Sequence, residues 1–406
     1  MTTRVTDLDL GFGGQRVVVP GHIGLFYSGS DDLGVLFDFL RGGLARPDEA
    51  VVVFGPQGAP SKFLEAFEKN LARDLGSEVA DRKLVLFEGD TDPDAQLAKL
   101  IRAVTTLVEK GAGVVRVLAL VAWDAPKWPV PEDFLWLESR LDAALASLPV
   151  ALVCAYDVTS MPGPGLIYAG IESHKLVSIG GKVAPNALAV PAEAYMADRL
   201  LRLPWLAREA SALEGRGARG VHACAFFISR DEEYATLLPL IREGIERGEA
   251  AFHIIDPKRR VDHIERLDRG GVDVEGLQSS RQLEIRDWHE TYLVDGRFDP
   301  DRTTALLADV LSKWSGGVRL VADMSWALGR APGVDALVEY EARFTESIRS
   351  YGDTVICTYD SARFAAATML DILRAHPVVI LGGYPQDNGL YTQPAALIHE
   401  LRARDR

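Results

Sequence analysis

The segment Gly21 to Asp32, GHIGLFYSGSDD, returns about two hundred residues later as VHACAFFISRDE, Val221 to Glu232. In each copy a histidine (His22, His222) leads an apolar run that ends in two aromatics, Phe26 and Tyr27 or Phe226 and Phe227. A polar corner with Asp31 or Asp231 follows. A short apolar run reads as a buried parallel strand, and Ser and Asp ahead of a 3.6-residue period read as a helix start. Each copy is therefore strand, tight turn, helix. In open α/β sheets the loop at the carboxyl end of such a strand faces the ligand crevice and carries the positive end of the helix. A chain that repeats this unit is expected to fold as two versions of one domain.

The remaining blocks repeat in the same order. Leu33 to Leu44 has helical spacing and Ala50 to Phe54 reads as the next buried strand, so a βαβ unit and a parallel sheet follow. VVRVLALVAWDAP from Val114 and GVRLVADMSWALG from Gly317 align Arg116 with Arg319 and Trp123 with Trp326. Downstream, Glu138 with Arg140 and Glu341 with Arg343 sit two apart on helices, so each is expected to find its own partner. A strand ending in Tyr156 and Asp157, or Tyr359 and Asp360, precedes a helix, and a further strand starts after His174 or His376 and stops at Gly-Gly. The second copy carries an insertion, TYLVDGRF, at a strand end; a ligand wall or lid and a plain surface loop are both open. Residues 1–20 read as a lead-in ending in an edge strand, QRVVVP. The first domain is placed at 21–199 and the second at 220–406, with a Gly/Arg linker at 200–219 and the boundary near Arg216.

The length of 406 residues allows two cores of ordinary size. A net charge of −14 argues against a grip on nucleic acid, which needs clustered Lys and Arg. Three cysteines do not make a disulfide framework, and Cys154 and Cys357 fall inside apolar runs, where buried thiols are expected. The N-terminal stretch lacks the apolar centre of a signal peptide, and no apolar run approaches the roughly 20 residues of a membrane helix. A cytoplasmic protein with no membrane contact is expected.

The turn invites comparison with the phosphate loop GxxxxGK[ST]. Gly24 and Gly29 have the spacing, but Ser30 and Asp31 stand where Lys and Ser/Thr belong. Copy two has Arg230 and Asp231 without the glycines. An Asp at the helix start would fill the anion seat from within. Asp323 ends a strand where a RecA-type ATPase directs magnesium, and it reads better as a cap or ligand contact; copy one has Leu120 there. No metal, nucleophile or cofactor motif is apparent, and the eight histidines are scattered. The candidate ligand-binding groups at strand ends are His22, Tyr27, Trp123, Tyr156 and Asp157 in copy one. In copy two they are His222, Phe226, Phe227, Asp323, Trp326, Tyr359 and Asp360. Aromatics with a few polar handles suit a small, partly apolar ligand. Core packing for the histidines and turn capping for the Tyr-Asp pairs are the plain alternatives.

Together these residues resemble the methanogen/methylotroph DcmR-type sensory domain, MEDS. Copy two carries its pattern nearly throughout: His222, Phe226, Gly248 and Glu249, Glu290 to Tyr292 with Gly296 to Pro300, Asp323 to Leu328, Glu339 to Glu341, Cys357 to Asp360, and His376 with Pro377. Copy one keeps His22, Phe26, Tyr27, Trp123, Cys154 to Asp157 and His174, without the ETYL segment. The resemblance implies an α/β protein of two tandem RecA/KaiC-like three-layer domains with mainly parallel sheets and no P-loop. It implies a non-enzymatic sensor of a small organic compound, with Tyr292 added to the candidate residues and the second domain keeping more of the site. No output segment is apparent, so the signal is expected to pass through a protein partner or a homo-oligomer. A nucleotide-binding relic and a pure interaction scaffold are the rival readings.

Overall fold

The computed structural model describes residues 6–123, 125–191, 220–348 and 352–404. The expected linker at 200–219 and the boundary near Arg216 lie outside the described residues, as do the side chains of Ser30 and Asp31. The chain forms two compact units.

In the first unit, seven strands carry the sheet: β3 (Gly21–Tyr27), β4 (Glu49–Gly55), β5 (Leu84–Glu88), β6 (Val114–Val121), β7 (Val150–Asp157), β8 (Leu176–Ile179) and β9 (Lys182–Pro185). Their order is β5-β4-β6-β7-β3-β8-β9. In the second unit, β10 (Val221–Phe227), β11 (Ala250–Ile255), β12 (Leu283–Asp287), β13 (Val318–Asp323), β14 (Thr354–Asp360), β15 (Val378–Leu381) and β16 (Tyr384–Asp387) stand in the order β12-β11-β13-β14-β10-β15-β16. All neighbours are parallel except the last pair of each sheet. The repeat thus yields the same three-layer α/β topology twice. The closing antiparallel strand was not foreseen; Gly180 and Gly181, and Gly382 and Gly383, all take positive φ and fold the chain straight back.

The central strands are buried along nearly their whole length, which is why they read as continuous apolar runs and not as alternating ones. Alternation still sorts the faces. Ile23 and Leu25 of β3 enter a core under helices Gly34–Leu44 and Ala59–Leu71, while His22 points to the other face, toward Asp142 of helix Pro131–Leu145.

The lead-in ends in the expected edge strand, but in a small sheet apart from the main one. Arg16–Val19 (β2) pairs antiparallel with Thr6–Asp9 (β1) in a hairpin of its own. Leu8, Leu10, Phe12, Val17 and Val19 from this region are buried in the first core. Buried Arg116 ties the hairpin down: Nε donates to Glu49 Oε2 at 2.6 Å, and its Nη atoms donate to the carbonyls of Asp9, Leu10 and Phe39. Arg319 repeats the pair with Glu249 at 2.9 Å, but reaches Glu243 where Arg116 reaches the hairpin.

Candidate functional site

Four elements bring chemistry to one point beneath each sheet. In the second unit His222 of β10, Cys357 of β14, Glu341 of helix Leu337–Ile348 and His376, just before β15, converge; all are buried. In the first unit His22, Cys154, Glu138 and His174 do the same, and one donor atom from each lies within 4.8 Å of the others. Local chemistry sets this up. A Cβ at position 24 would sit 3.0 Å from the ring of His174, so glycine there leaves the room the ring needs. Asn186 Nδ2 donates to the carbonyls of Ile171 and His174, and Asn388 Nδ2 to those of Leu373 and His376, which pins the turn bearing the second histidine.

The distances are short and regular. Glu341 Oε2 lies 3.3 Å from His222 Nε2, 3.4 Å from His376 Nε2 and 3.8 Å from Cys357 Sγ, while its other oxygen accepts from Tyr359 Oη at 2.7 Å. Glu138 Oε2 stands 3.5 Å from His22 Nε2 and 3.8 Å from both His174 Nε2 and Cys154 Sγ, and Tyr156 Oη donates to Oε1 at 2.7 Å. The outward ring nitrogens are held separately. His376 Nδ1 donates to the Ile372 carbonyl at 2.8 Å, and His222 Nδ1 bonds Thr345 Oγ1 at 2.8 Å. His22 Nδ1 donates to Asp142 Oδ1 at 3.0 Å, and His174 Nδ1 meets Ser173 Oγ at 2.9 Å.

The two clusters differ in charge. Burial opposes the charged form of His22, but hydrogen bonds to Asp142 and Glu138 outweigh it and raise its pKa to about 9. Burial, reinforced by the neighbouring His376, lowers His222 to about 4, and burial with the charge of His22 lowers His174 to about 3. Burial and the adjacent glutamates push the thiols of Cys154 and Cys357 well up.

Beside the first cluster, on the same face, is a narrow apolar cavity with room for about one water molecule. Phe54, Leu97, Leu100, Trp128, Phe134 and Leu141 line it, and it reaches Glu138 and Cys154. Gln96 Nε2 and Trp128 Nε1 in its wall are buried donors without an acceptor. In the second unit the aligned Leu137 and Leu141 become Tyr340 and Phe344. There Tyr292 stacks on Trp326 at 4.9 Å and Phe298 packs on Trp326 at 4.5 Å. The inserted TYLVDGRF segment is thus neither lid nor free loop; its Tyr292 and Phe298 are 1% exposed and plug the core.

At the strand ends of the second unit a narrow polar crevice is lined by Phe227, Arg230, Glu233, Asp323, Tyr359 and Asp360 among others. Arg259 donates to Asp323 at 2.6 Å and to Glu233 at 3.1 Å, and Arg230 donates to Glu233 at 2.7 Å. Glu233 and Asp323 in the crevice are thus neutralised by arginines, and the helix start is not capped by Asp231 as the sequence suggested. Asp231 is exposed and pairs with Arg266; Ser229 caps the helix, and Glu232 bonds back to the Ile228 amide. Asp323 also caps, accepting from the Ser325 amide at 2.9 Å.

The candidate residues therefore separate into three places. His22, Tyr156, His222 and Tyr359 join the buried clusters, with Phe26 and Phe226 packed on the tyrosines at 5.6 and 5.7 Å. Phe227, Asp323 and Asp360 face the crevice, and Asp157 caps its turn by accepting from Gly29 and Thr159 amides. Tyr27, half-buried at a strand end, has its hydroxyl pKa raised to about 12 by burial and by Asp157. Trp326 and Tyr292 lie in the aromatic plug, and Trp123 meets Phe134 edge-on at 6.4 Å. Sequence reasoning missed Glu138, Glu341, Cys154, Cys357, His174 and His376 as a set. The signal was that all recur in both copies at nearly one spacing.

A family model described as MEthanogen/methylotroph, DcmR Sensory domain (MEDS) matches residues 21–174 and 221–377. The two matches cover both repeats and most of the chain. No curated protein matches it. Among the described residues no helix is long and apolar enough to cross a membrane.

Proposed function

Because the chain belongs to the MEDS sensory-domain family, we propose that it is a cytoplasmic regulatory protein that binds a small organic molecule. It acts by recognition, without turnover, and passes the signal to a protein partner or through a homo-oligomer. The observation that carries the ligand class is the pair of buried donors, Gln96 Nε2 and Trp128 Nε1, left without acceptors in the apolar cavity of the first domain. A buried donor without a partner costs about 1–3 kcal/mol, and a ligand acceptor atom recovers it. A compact, mostly apolar compound bearing one oxygen, sulfur or halogen acceptor matches the apolar walls and the two donors, and the walls have to part to admit it. The second domain fills the corresponding space with Tyr340, Phe344 and Trp326, which supports a ligand role for the first.

The reading is tested by thermal shift across one- to three-carbon alcohols, thiols, ketones and halides, with wild type beside Ala119→Leu, which narrows the cavity, and Gln96→Met, which removes the donor. At 100 times Kd a bound compound adds about 2.7 kcal/mol. A rise in Tm for wild type that both folded variants lose supports the proposal. No rise with any compound, or an equal rise in the variants, refutes it. Mg-ATP in the same assay tests the nucleotide-binding rival.

A further inference from the structure

We propose that His222, Glu341, Cys357 and His376 bind a divalent transition metal ion in tetrahedral geometry, zinc foremost, and that His22, Glu138, Cys154 and His174 form a second such site. This goes beyond the ligand reading and does not depend on it.

The argument starts from protons. Thr345 Oγ1 donates to a carbonyl, of Glu341 or Ala375, so it accepts from Nδ1–H of His222. The Ile372 carbonyl fixes the proton of His376 on Nδ1 in the same way. Both Nε2 lone pairs then face Glu341 Oε2, itself an acceptor. Three acceptors meet at the centre of the cluster; among the described residues Tyr359 donates to the other oxygen of Glu341 and the weak Cys357 thiol is the donor beside the three. His376 Nε2 is fully buried, 3.4 Å from the carboxylate and without a hydrogen bond; His174 Nε2 is in the same position in the first domain. A void of like lone pairs is unfavourable unless a cation sits among them.

Lengths agree with a metal. Bonds of 2.0–2.1 Å to N or O and 2.3 Å to S, at tetrahedral angles, place neighbouring N and O donors about 3.3 Å apart and S about 3.6 Å from either. In the second domain the N to O separations are 3.3 and 3.4 Å, and sulfur stands 3.5 Å from nitrogen and 3.8 Å from oxygen. The first domain gives 3.5 and 3.8 Å for N to O, 3.3 Å for S to N and 3.8 Å for S to O. Each histidine also has its far nitrogen tied to a carboxylate, hydroxyl or carbonyl, as ligating histidines do. Binding releases the thiol proton to solvent, and in the first domain also the Nε2 proton of His22, which Asp142 and Glu138 hold in the charged form when no ion is bound; the thiolate and carboxylate then balance the 2+ ion, so the buried site is neutral. Two imidazoles, one thiolate and one carboxylate suit a borderline cation and leave no open coordination position.

The test uses the full chain, reduced, loaded with excess zinc, desalted and assayed for metal, in wild type and in Cys357→Ser, Cys154→Ser and the double variant, each checked for fold by circular dichroism. Expected is one tightly held zinc per domain in wild type, with the matching one lost or weakened at least tenfold in each single variant. Cobalt(II) added to metal-free wild type is expected to give the intense visible bands of a tetrahedral site and a thiolate charge-transfer band, absent from the double variant. A folded wild type that retains no zinc, or cobalt spectra indifferent to both cysteines, overturns the proposal. Because no organic ligand is added, neither outcome bears on the cavity reading.

Discussion

Asp142 and Thr345 occupy the same place on matching helices, and each holds Nδ1 of the leading histidine, His22 at 3.0 Å and His222 at 2.8 Å. A carboxylate in one copy and a hydroxyl in the other is the main polar difference between two otherwise similar clusters. Lys175, 3.1 Å from Asp142, accompanies it.

A carboxylate behind a ligating imidazole makes the ring a stronger base, and losing such a partner typically costs 10- to 100-fold in metal affinity. Asp142→Thr is therefore expected to weaken zinc binding in the first domain by about that factor, and Thr345→Asp to strengthen it in the second. Competition with a chromophoric chelator measures both; equal affinities before and after would contradict this role.

Arg116 is fully buried, and removing one partner of a buried ion pair leaves the other charge unpaired. Arg116→Met is expected to destabilise the first domain by about 3–5 kcal/mol. Urea midpoints read the effect. Because the guanidinium also holds the carbonyls of Asp9 and Leu10, hydrogen exchange in Thr6–Val19 is expected to accelerate with it.

The aromatic plug gives a packing test. Trp326→Ala is expected to cost about 3–5 kcal/mol, the usual range for deleting a buried tryptophan. A double-mutant cycle with Tyr292→Ala is expected to show about 0.5–1.5 kcal/mol of coupling from the stacked rings. Additive losses would mean that the inserted segment does not support Trp326.

Acid sensitivity is expected from a different pair. His263 accepts or donates at 2.6 Å to Tyr234 Oη and at 2.9 Å to His253 Nδ1, with Arg259 and Arg260 nearby. Burial, then those arginines, lowers His263 to about 4, against 6.5 when unfolded. The unfolded chain therefore binds the extra proton first, so stability is intact above pH 6.5 and falls as pH drops toward 4. Between pH 7 and 5 the second domain is expected to lose about 2 kcal/mol through this group. His263→Phe is expected to flatten that slope in urea titrations at the two pH values.

The duplication made the fold legible, since each apolar run and each helical period could be checked against its twin. The pairing of Glu138 and Glu341 with partners other than the neighbouring arginines was also legible, from the two-residue spacing: Arg140 meets Asp94 and Arg343 meets Glu339. The clusters were not. Their members come from two strands, a helix and a turn, and no local pattern marks residues that only the sheet order brings together. Cys154 was read as a buried thiol, and burial is what it shows, but burial alone says nothing of its neighbours. The plug was hidden for the same reason. An insertion with an Asp-Gly turn signal looks like a surface loop until Tyr292 and Phe298 find Trp326.

The hairpin of β1 and β2 bears on how the halves can be dissected. A fragment cut where the family match starts, at residue 21, would strip two acceptors from Arg116 and uncover apolar side chains from Leu8 to Val19. A recombinant first half therefore has to begin no later than Thr6, whereas in the second half Arg319 is served by Glu243 from its own helix and needs no such hairpin.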